Sequence, residues 1–331
     1  MKSMFEMIQA FPSQLEQAIQ IGLNASISGH SKRIQRIYVS GMGGSGIGAD
    51  FVASFIKSYA EVPYIVGKTY DVPAFVDDET LVIISSYSGN TEETIESFSK
   101  IIPRGSKIVC IASGGEVMRM ANQFQLDYIQ LPSGWSSPRA CLGFSLVAQL
   151  FVIHKLGIIP DHFISELNLS IEKMNLESNA IIEKAKHLAS YLEGKIPVIY
   201  CADTIEPVAV RFRQQLNENS KILCWHHVIP EMNHNELVGW RWTQNALAPV
   251  FIRNAGDHPR IQARIELTKE VVSHYTQNLI EIYSSGDSII VRSIYLVHLL
   301  DYVSVFLADF NQIDSVEVRV IDFLKSELAK L

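Results

Sequence analysis

Cysteine is scarce and scattered. Cys110, Cys141, Cys201 and Cys224 form no C-x-x-C pair, so neither a disulfide framework nor a zinc site is expected. Cys110 and Cys201 close apolar runs and read as buried reduced thiols. Basic residues are also in deficit, 28 Lys and Arg against 35 Asp and Glu, a formal net charge of −7. That balance leaves no electrostatic footprint for nucleic acid, and an anionic ligand must be held by local groups instead. No uninterrupted apolar stretch reaches the ~20 residues of a membrane span. Met1-Lys2-Ser3 leads into acidic and polar residues in a helical pattern, not a signal peptide. The expectation is a soluble cytoplasmic protein with no nucleic-acid or membrane partner. With 47% hydrophobic and 19% charged residues the balance is ordinary for a globular chain, and 331 residues allow two domains.

What stands out is Ser40-Gly41-Met42-Gly43-Gly44-Ser45-Gly46. The apolar run Ile37-Tyr38-Val39 before it reads as a buried strand, and a helix-compatible run over 47–59 follows. Strand, glycine turn and helix start together present backbone N–H groups and a positive dipole end to an anion. No Gly-Lys-Ser/Thr closes the run, so it is not a P-loop. A tight strand-to-helix turn without ligand is the alternative reading of this stretch alone. A second stretch repeats the logic. The strand run Leu81-Val82-Ile83-Ile84 enters Ser85-Ser86-Tyr87-Ser88-Gly89-Asn90-Thr91, where Asn90 and Glu93 have capping-box spacing.

Strand-turn-helix units then alternate. Strands are expected over 35–40, 62–67, 80–86, 107–112 and 127–131, with helices over 91–101, 116–123 and 138–156. The N-terminus carries an amphipathic helix, or two meeting at Pro12, on Phe5, Ile8, Phe11, Leu15, Ile19 and Leu23. In the doubly wound order 2-1-3-4-5, strands one and three are neighbours, and ligands bind at their carboxyl ends. The two loops should therefore converge on one phosphate monoester, held by Gly43, Gly44, Ser45, Ser86, Ser88 and Thr91. Residues 162–193 read as a long helical link. A second round follows, with strands over 195–201, 221–226, 248–253 and 278–283 and helices over 206–219, 259–276, 289–309 and 316–330. The divisions expected are an N-terminal domain over 1–156, a connector over 157–194 and a C-terminal domain over 195–331. After Cys201 the chain reads Ala202-Asp203-Thr204-Ile205, without glycine, so the phosphate site is expected in the first half alone.

Gly41-Met42-Gly43-Gly44-Ser45-Gly46 with Ser86-Tyr87-Ser88-Gly89-Asn90-Thr91 resembles the sugar isomerase (SIS) domain. Ser137-Pro138-Arg139-Ala140, Asn217-Glu218-Asn219, Pro230-Glu231-Met232-Asn233-His234-Asn235 and Ile321-Asp322-Phe323-Leu324-Lys325 narrow the resemblance to the bifunctional phosphoglucose/phosphomannose isomerases. It spans nearly the whole chain. It implies an α/β protein of two tandem SIS domains, each a flavodoxin-like parallel sheet flanked by helices. It also implies a homodimer, aldose–ketose isomerisation of hexose 6-phosphates without metal or other cofactor, and an active site between domains that borrows from the partner subunit. The family usually carries a Thr-Pro pair ahead of the final lysine. Here the stretch is Asp314-Ser315-Val316-Glu317-Val318-Arg319, which bears on the mannose epimer.

Isomerisation must open the sugar ring, move a proton between C2 and C1, and stabilise an enediolate. Glu218 sits in the last turn of helix 206–219, where the negative dipole end makes a carboxylate readier to take a proton. By residue type alone it is also an ordinary solvated carboxylate; the resemblance makes it the base. His234 lies in a polar loop, and an imidazole can transfer protons near neutral pH. The resemblance assigns it ring opening, delivered across the dimer. Arg139 at a helix start opposes the dipole, which suggests a task, and the resemblance has it stabilise the enediolate. Lys325 lies on a helix with Val316, Val320, Phe323 and Leu324 as its packing face, and the resemblance sends it toward the sugar ring. His226 and His227 are adjacent on a strand and point to opposite faces, so no metal site is expected. A non-catalytic SIS sensor of sugar phosphates, or an SIS isomerase of another sugar phosphate, remains the alternative.

Overall fold

The computed structural model describes residues 2–243, 245–328 and 330. Two helices open the chain, α1 (Met4–Gln9) and α2 (Phe11–Asn24), broken at Ala10 with Pro12 in the first turn of α2. Proline is tolerated there because the first-turn N–H groups have no intrahelical partner. Then come β1 (Arg36–Ser40), α3 (Gly43–Ile56), β2 (Tyr64–Gly67), β3 (Thr80–Ser85), α4 (Glu92–Ile101), β4 (Lys107–Ala112), α5 (Gly115–Gln123) and β5 (Asp127–Gln130). A 3₁₀ turn at Pro138–Cys141 precedes α6 (Leu142–Lys155) and α7 (His162–Leu176). All pairings in this sheet are parallel, in the order β2-β1-β3-β4-β5. β3 and β4 are buried at every position, the run expected of strands covered on both faces. Ser40 is level with Ile84, so the chains leaving β1 and β3 start side by side.

The second round comprises α8 (Ser178–Leu192), β6 (Ile196–Ala202), α9 (Glu206–Glu218), β7 (Trp225–Ile229), β8 (Leu247–Arg253), α10 (Pro259–Ser273), β9 (Ile280–Tyr283), α11 (Ile289–Phe310) and α12 (Arg319–Leu328). Its sheet is parallel in the order β7-β6-β8-β9, the same winding with four strands. Its core gathers Val198, Tyr200, Ile229, Phe251, Ile265 and Val272. Helix α11 is long and apolar enough to cross a membrane by length and composition, yet 83% of its apolar window is buried, and it carries Arg292 and Asp301.

Contacts divide the chain into two compact units, Gln9–Asn175 with Ile289–Val291, and Met1–Ile8 with Leu176–Ser288 and Arg292–Leu331. The N-terminal helical pattern thus belongs to both. Phe5 of α1 packs its ring 5.2 Å from Tyr302 and 6.0 Å from Phe306. The link read over 157–194 likewise splits, α7 going chiefly with one unit and α8 with the other. Periodicity marks an apolar face but not what will cover it.

Four local expectations shift. Helix α3 begins at Gly43, not 47, so the glycine run is its first turn. Tight packing overrides the poor helix propensity of glycine: a Cβ at Gly46 would lie 2.6 Å from Gly41 O, and one at Gly48 2.8 Å from Ser145 Oγ. Helix α4 is capped at Thr91, not Asn90, and Asn90 Oδ1 instead accepts from the Glu116 amide at 3.0 Å. The second strand of the second sheet lies at 225–229, not 221–226, because Lys221 turns into the left-handed region at φ 57° and Leu223 stays 84% exposed. Finally, α12 is shorter than expected, and its apolar residues Val320, Phe323 and Leu324 are 82%, 65% and 57% exposed rather than packed.

Candidate active site

The two loops foreseen at the switch point meet. Ser45 is buried in the first turn of α3, and its Oγ accepts from the Tyr87 amide at 3.2 Å. That leaves its hydroxyl proton for a ligand. Gly41 backs directly onto β3, since a Cβ there would lie 2.9 Å from Ser85 O. Ser86 Oγ and Thr91 Oγ1 share a hydrogen bond at 2.8 Å, and the Gly89 amide reaches Ser86 Oγ at 3.1 Å. Ser88 is exposed, with its Oγ accepting from the Asn90 amide at 3.2 Å. Gly43 takes φ 49° at the lip of the loop. The N-termini of α3 and α4 therefore sit at adjoining strand ends, with Ser and Thr hydroxyls around them. Amide and hydroxyl donors grouped at two helix starts are chemically suited to an anion.

Arg139 belongs to the same unit. It is buried at 7% exposure in the 3₁₀ turn before α6. Gly44 is what lets this turn come close, because a Cβ on it would lie 3.2 Å from Pro138 O and 3.7 Å from Arg139 Cα. The sequence pattern missed three supports of this site. Tyr87 seats Ser45, and its OH donates to Pro132 O at 2.9 Å; burial pushes its phenol up, which keeps it a neutral donor. Gly89, at φ 70°, has no room for a Cβ against the Gly114 carbonyl. Lys68, just past β2, lies beside Gly46 and pairs with Asp50. The paired glycines 114 and 115 after β4 were the signal available for the second of these.

Glu218 is the last residue of α9, in the other unit. α9 and the residues just after it are anchored in the core by polar groups. Arg211 makes a two-point ion pair with Asp301 of α11, 3.1 Å from Nε and 2.5 Å from Nη2. Burial raises the Asp301 carboxyl while Arg211 lowers it. Asn219 Nδ2 donates to Ser304 Oγ at 2.9 Å, and Ser220 Oγ to Ser304 O at 2.6 Å. Glu218 faces a groove of about 330 Å³ that it lines with Lys221, Glu317, Val318 and Arg319. The structure so joins Glu218 to the segment that leads into α12. Lys325 itself is exposed on α12.

His234 is exposed in a 3₁₀ turn at Glu231–His234, beyond β7, and is not among the residues of that groove. His226 is held between Glu206, 3.4 Å from Nε2, and Arg213, 3.2 Å from Nδ1. His227 Nδ1 accepts from the Val228 amide at 2.9 Å. Among the described residues no cluster of three or more His, Cys, Asp or Glu side chains is gathered as for a metal ion.

Residues 31–156 match the SIS domain, and residues 181–328 match the bacterial phospho-glucose isomerase C-terminal SIS domain. A bifunctional phosphoglucose/phosphomannose isomerase of Caldicellulosiruptor bescii is 36% identical over 99% of each chain. The protein of that name from Aquifex aeolicus is 38% identical over 89% of this chain and 90% of its own. In fold, the C-terminal domain of glucosamine-fructose-6-phosphate aminotransferase from Francisella tularensis superposes with a TM-score of 0.76 at 17% identity, covering 95% of this chain and 98% of its own. With tandem SIS sheets, a donor-lined switch point in the first, and full-length relatives of one name, the chain belongs to the bifunctional phosphoglucose/phosphomannose isomerase family.

Proposed function

We propose that this chain interconverts glucose 6-phosphate and mannose 6-phosphate with fructose 6-phosphate through a cis-enediol. The observation that carries the reading is the cradle where Ser45, Ser86 and Thr91 converge at two helix starts. The Gly43 and Gly44 amides with Ser45, Ser86, Ser88 and Thr91 hold the 6-phosphate, which does not react and serves as a handle. Glu218 moves the proton between C2 and C1. Arg139, whose charge stays fixed, stabilises the enediolate oxygens. His234 opens the pyranose ring, and Lys325 contacts the sugar ring oxygen or hydroxyls. No cofactor takes part in this scheme. The working form is a homodimer in which each subunit lends His234 to its partner; the exposure of His234 in its own chain supports that reading. Cys110, Cys141 and Cys201, buried and outside any disulfide, fit a reducing cytoplasm.

The test supplies fructose 6-phosphate and detects glucose 6-phosphate and mannose 6-phosphate separately. Both products are expected; formation of neither overturns the activity. The shared site has its own test. Glu218→Gln abolishes exchange of the C2 proton with solvent, a loss of ~10²–10⁴-fold or more. His234→Ala impairs ring opening, so acyclic substrate bypasses part of the defect. Mixing the two variants under subunit exchange restores activity, because some heterodimers hold one site with both residues intact. Heterodimers verified by mass that stay as inactive as their parents sink the shared site.

A further inference from the structure

Lys221 ties the end of α9 to a segment almost a hundred residues away. Its Nζ donates to Glu218 O at 2.6 Å, to Glu317 O at 2.8 Å and to Asp314 O at 3.0 Å. The Glu317 carboxylate stands 3.8 Å from the same ammonium. An ammonium has three protons, and three carbonyls receive them. A lysine near a helix end often caps the last carbonyls, and the bond to Glu218 O alone is such a cap. The other two are not: they span 93 and 96 residues of sequence.

The backbone at this position argues the same way. Lys221 holds φ 57°, in the left-handed region where glycine is the ordinary solution. Lysine at this position forgoes the easier backbone of glycine and gains an ammonium that meets three carbonyls. Residues 314–319 are shaped by local turns, with Asp314 Oδ1 accepting from the Val316 amide at 2.8 Å and Glu317 Oε2 from the Arg319 amide at 3.0 Å. No residue of α12 beyond it is buried. The placement of α12 thus depends on how the 314–318 backbone is held, and Lys221 holds two of its carbonyls.

We propose that Lys221 is a positioning residue: its ammonium clamps the Glu218-bearing end of α9 to the backbone that leads into α12. The clamp keeps Glu218 and Lys325 in one register while touching neither substrate nor the transferred proton. This rests on the reading of Glu218 as base and Lys325 as a substrate contact. It goes beyond that reading by naming what sets their mutual geometry.

Three variants test it. Lys221→Met keeps length and packing and removes all three hydrogen bonds. Lys221→Gly removes them too, but relieves the left-handed backbone. Lys221→Arg keeps a charged donor. The expected result is a tenfold or larger fall in kcat for both Met and Gly variants, with KM changed less than threefold. The Arg variant recovers part of the loss. Hydrogen exchange at amides 314–321 quickens in the Met and Gly variants. In a Lys325→Ala background, Lys221→Met costs much less than in the wild type, because coupled residues are not additive. Full kcat in the Gly variant would reduce Lys221 to a helix cap. Unchanged exchange at 314–321, or strict additivity with Lys325→Ala, would also overturn the clamp while leaving the base assignment intact. Full activity in Glu218→Gln, run alongside, would instead fall on the base assignment and take the positioning claim with it.

Discussion

The hydroxyl of Ser45 accepts a hydrogen bond from the Tyr87 amide at 3.2 Å, so the second loop seats the donor of the first. On the proposed function the two loops hold the 6-phosphate, a group that stays unchanged through the reaction. Ser45→Ala or Thr91→Val is therefore expected chiefly to raise KM, by about tenfold for a hydrogen bond to a charged group. Steady-state kinetics with fructose 6-phosphate reads this directly. A tenfold fall in kcat at unchanged KM contradicts the phosphate role.

Gly89 is the tightest point of the second loop. It sits at φ 70° with its α-carbon against the Gly114 carbonyl. Gly89→Ala must both enter the left-handed region and displace that backbone, at about 1–3 kcal/mol for the strain alone. Lower stability in urea and weaker binding of fructose 6-phosphate by calorimetry are expected together. An alanine variant with wild-type midpoint and affinity shows that the loop is not built on this glycine.

The Arg211–Asp301 pair lies in the core beneath α9, with side chains 4% and 7% exposed. Removing one partner strands the other charge without water, at about 3–5 kcal/mol. Asp301→Asn is expected to fall in that range by chemical denaturation. The double variant Arg211→Met with Asp301→Leu recovers most of the loss, because no charge is then left buried. A cost for Asp301→Asn of less than about 1 kcal/mol would show that the pair does not anchor α9.

His298, buried in α11 with its ring 4.9 Å from that of Tyr302, is held by desolvation down to about 4 from 6.5. Between those values the unfolded chain takes up a proton that the folded one refuses. The contribution of this residue is thus fully present above pH 6.5 and is lost as pH falls toward 4, on the order of 3 kcal/mol. His298→Gln, which cannot titrate, flattens the stability–pH curve over that window. An unaltered curve shows that some other group sets the acid sensitivity.

Much of the fold is written locally. Buried strands announce themselves as apolar runs, and the glycine and hydroxyl loops after β1 and β3 carry their own turn chemistry. Winding order then puts those loops together, because parallel strands joined by helices have few arrangements. That is why the meeting of the Ser45 loop with the Ser86 and Thr91 loop was legible before any coordinate. The roles proposed for Glu218, Arg139, His234 and Lys325 came from resemblance, since a glutamate at a helix end looks the same solvated or poised.

Other features were decided only in three dimensions. Helix α3 starts inside the glycine run, where a Cβ on Gly44 or Gly46 would meet neighbouring backbone. Asn90 gives up the cap of α4 to accept from the Glu116 amide in the first turn of α5. The run 221–224 turns instead of pairing, and Lys221 finds carbonyls that 93 and 96 residues of chain separate from it. Propensity and periodicity act over a few residues. Which backbone carbonyl an ammonium will meet, and which apolar face will be covered, depends on groups that only folding brings within reach.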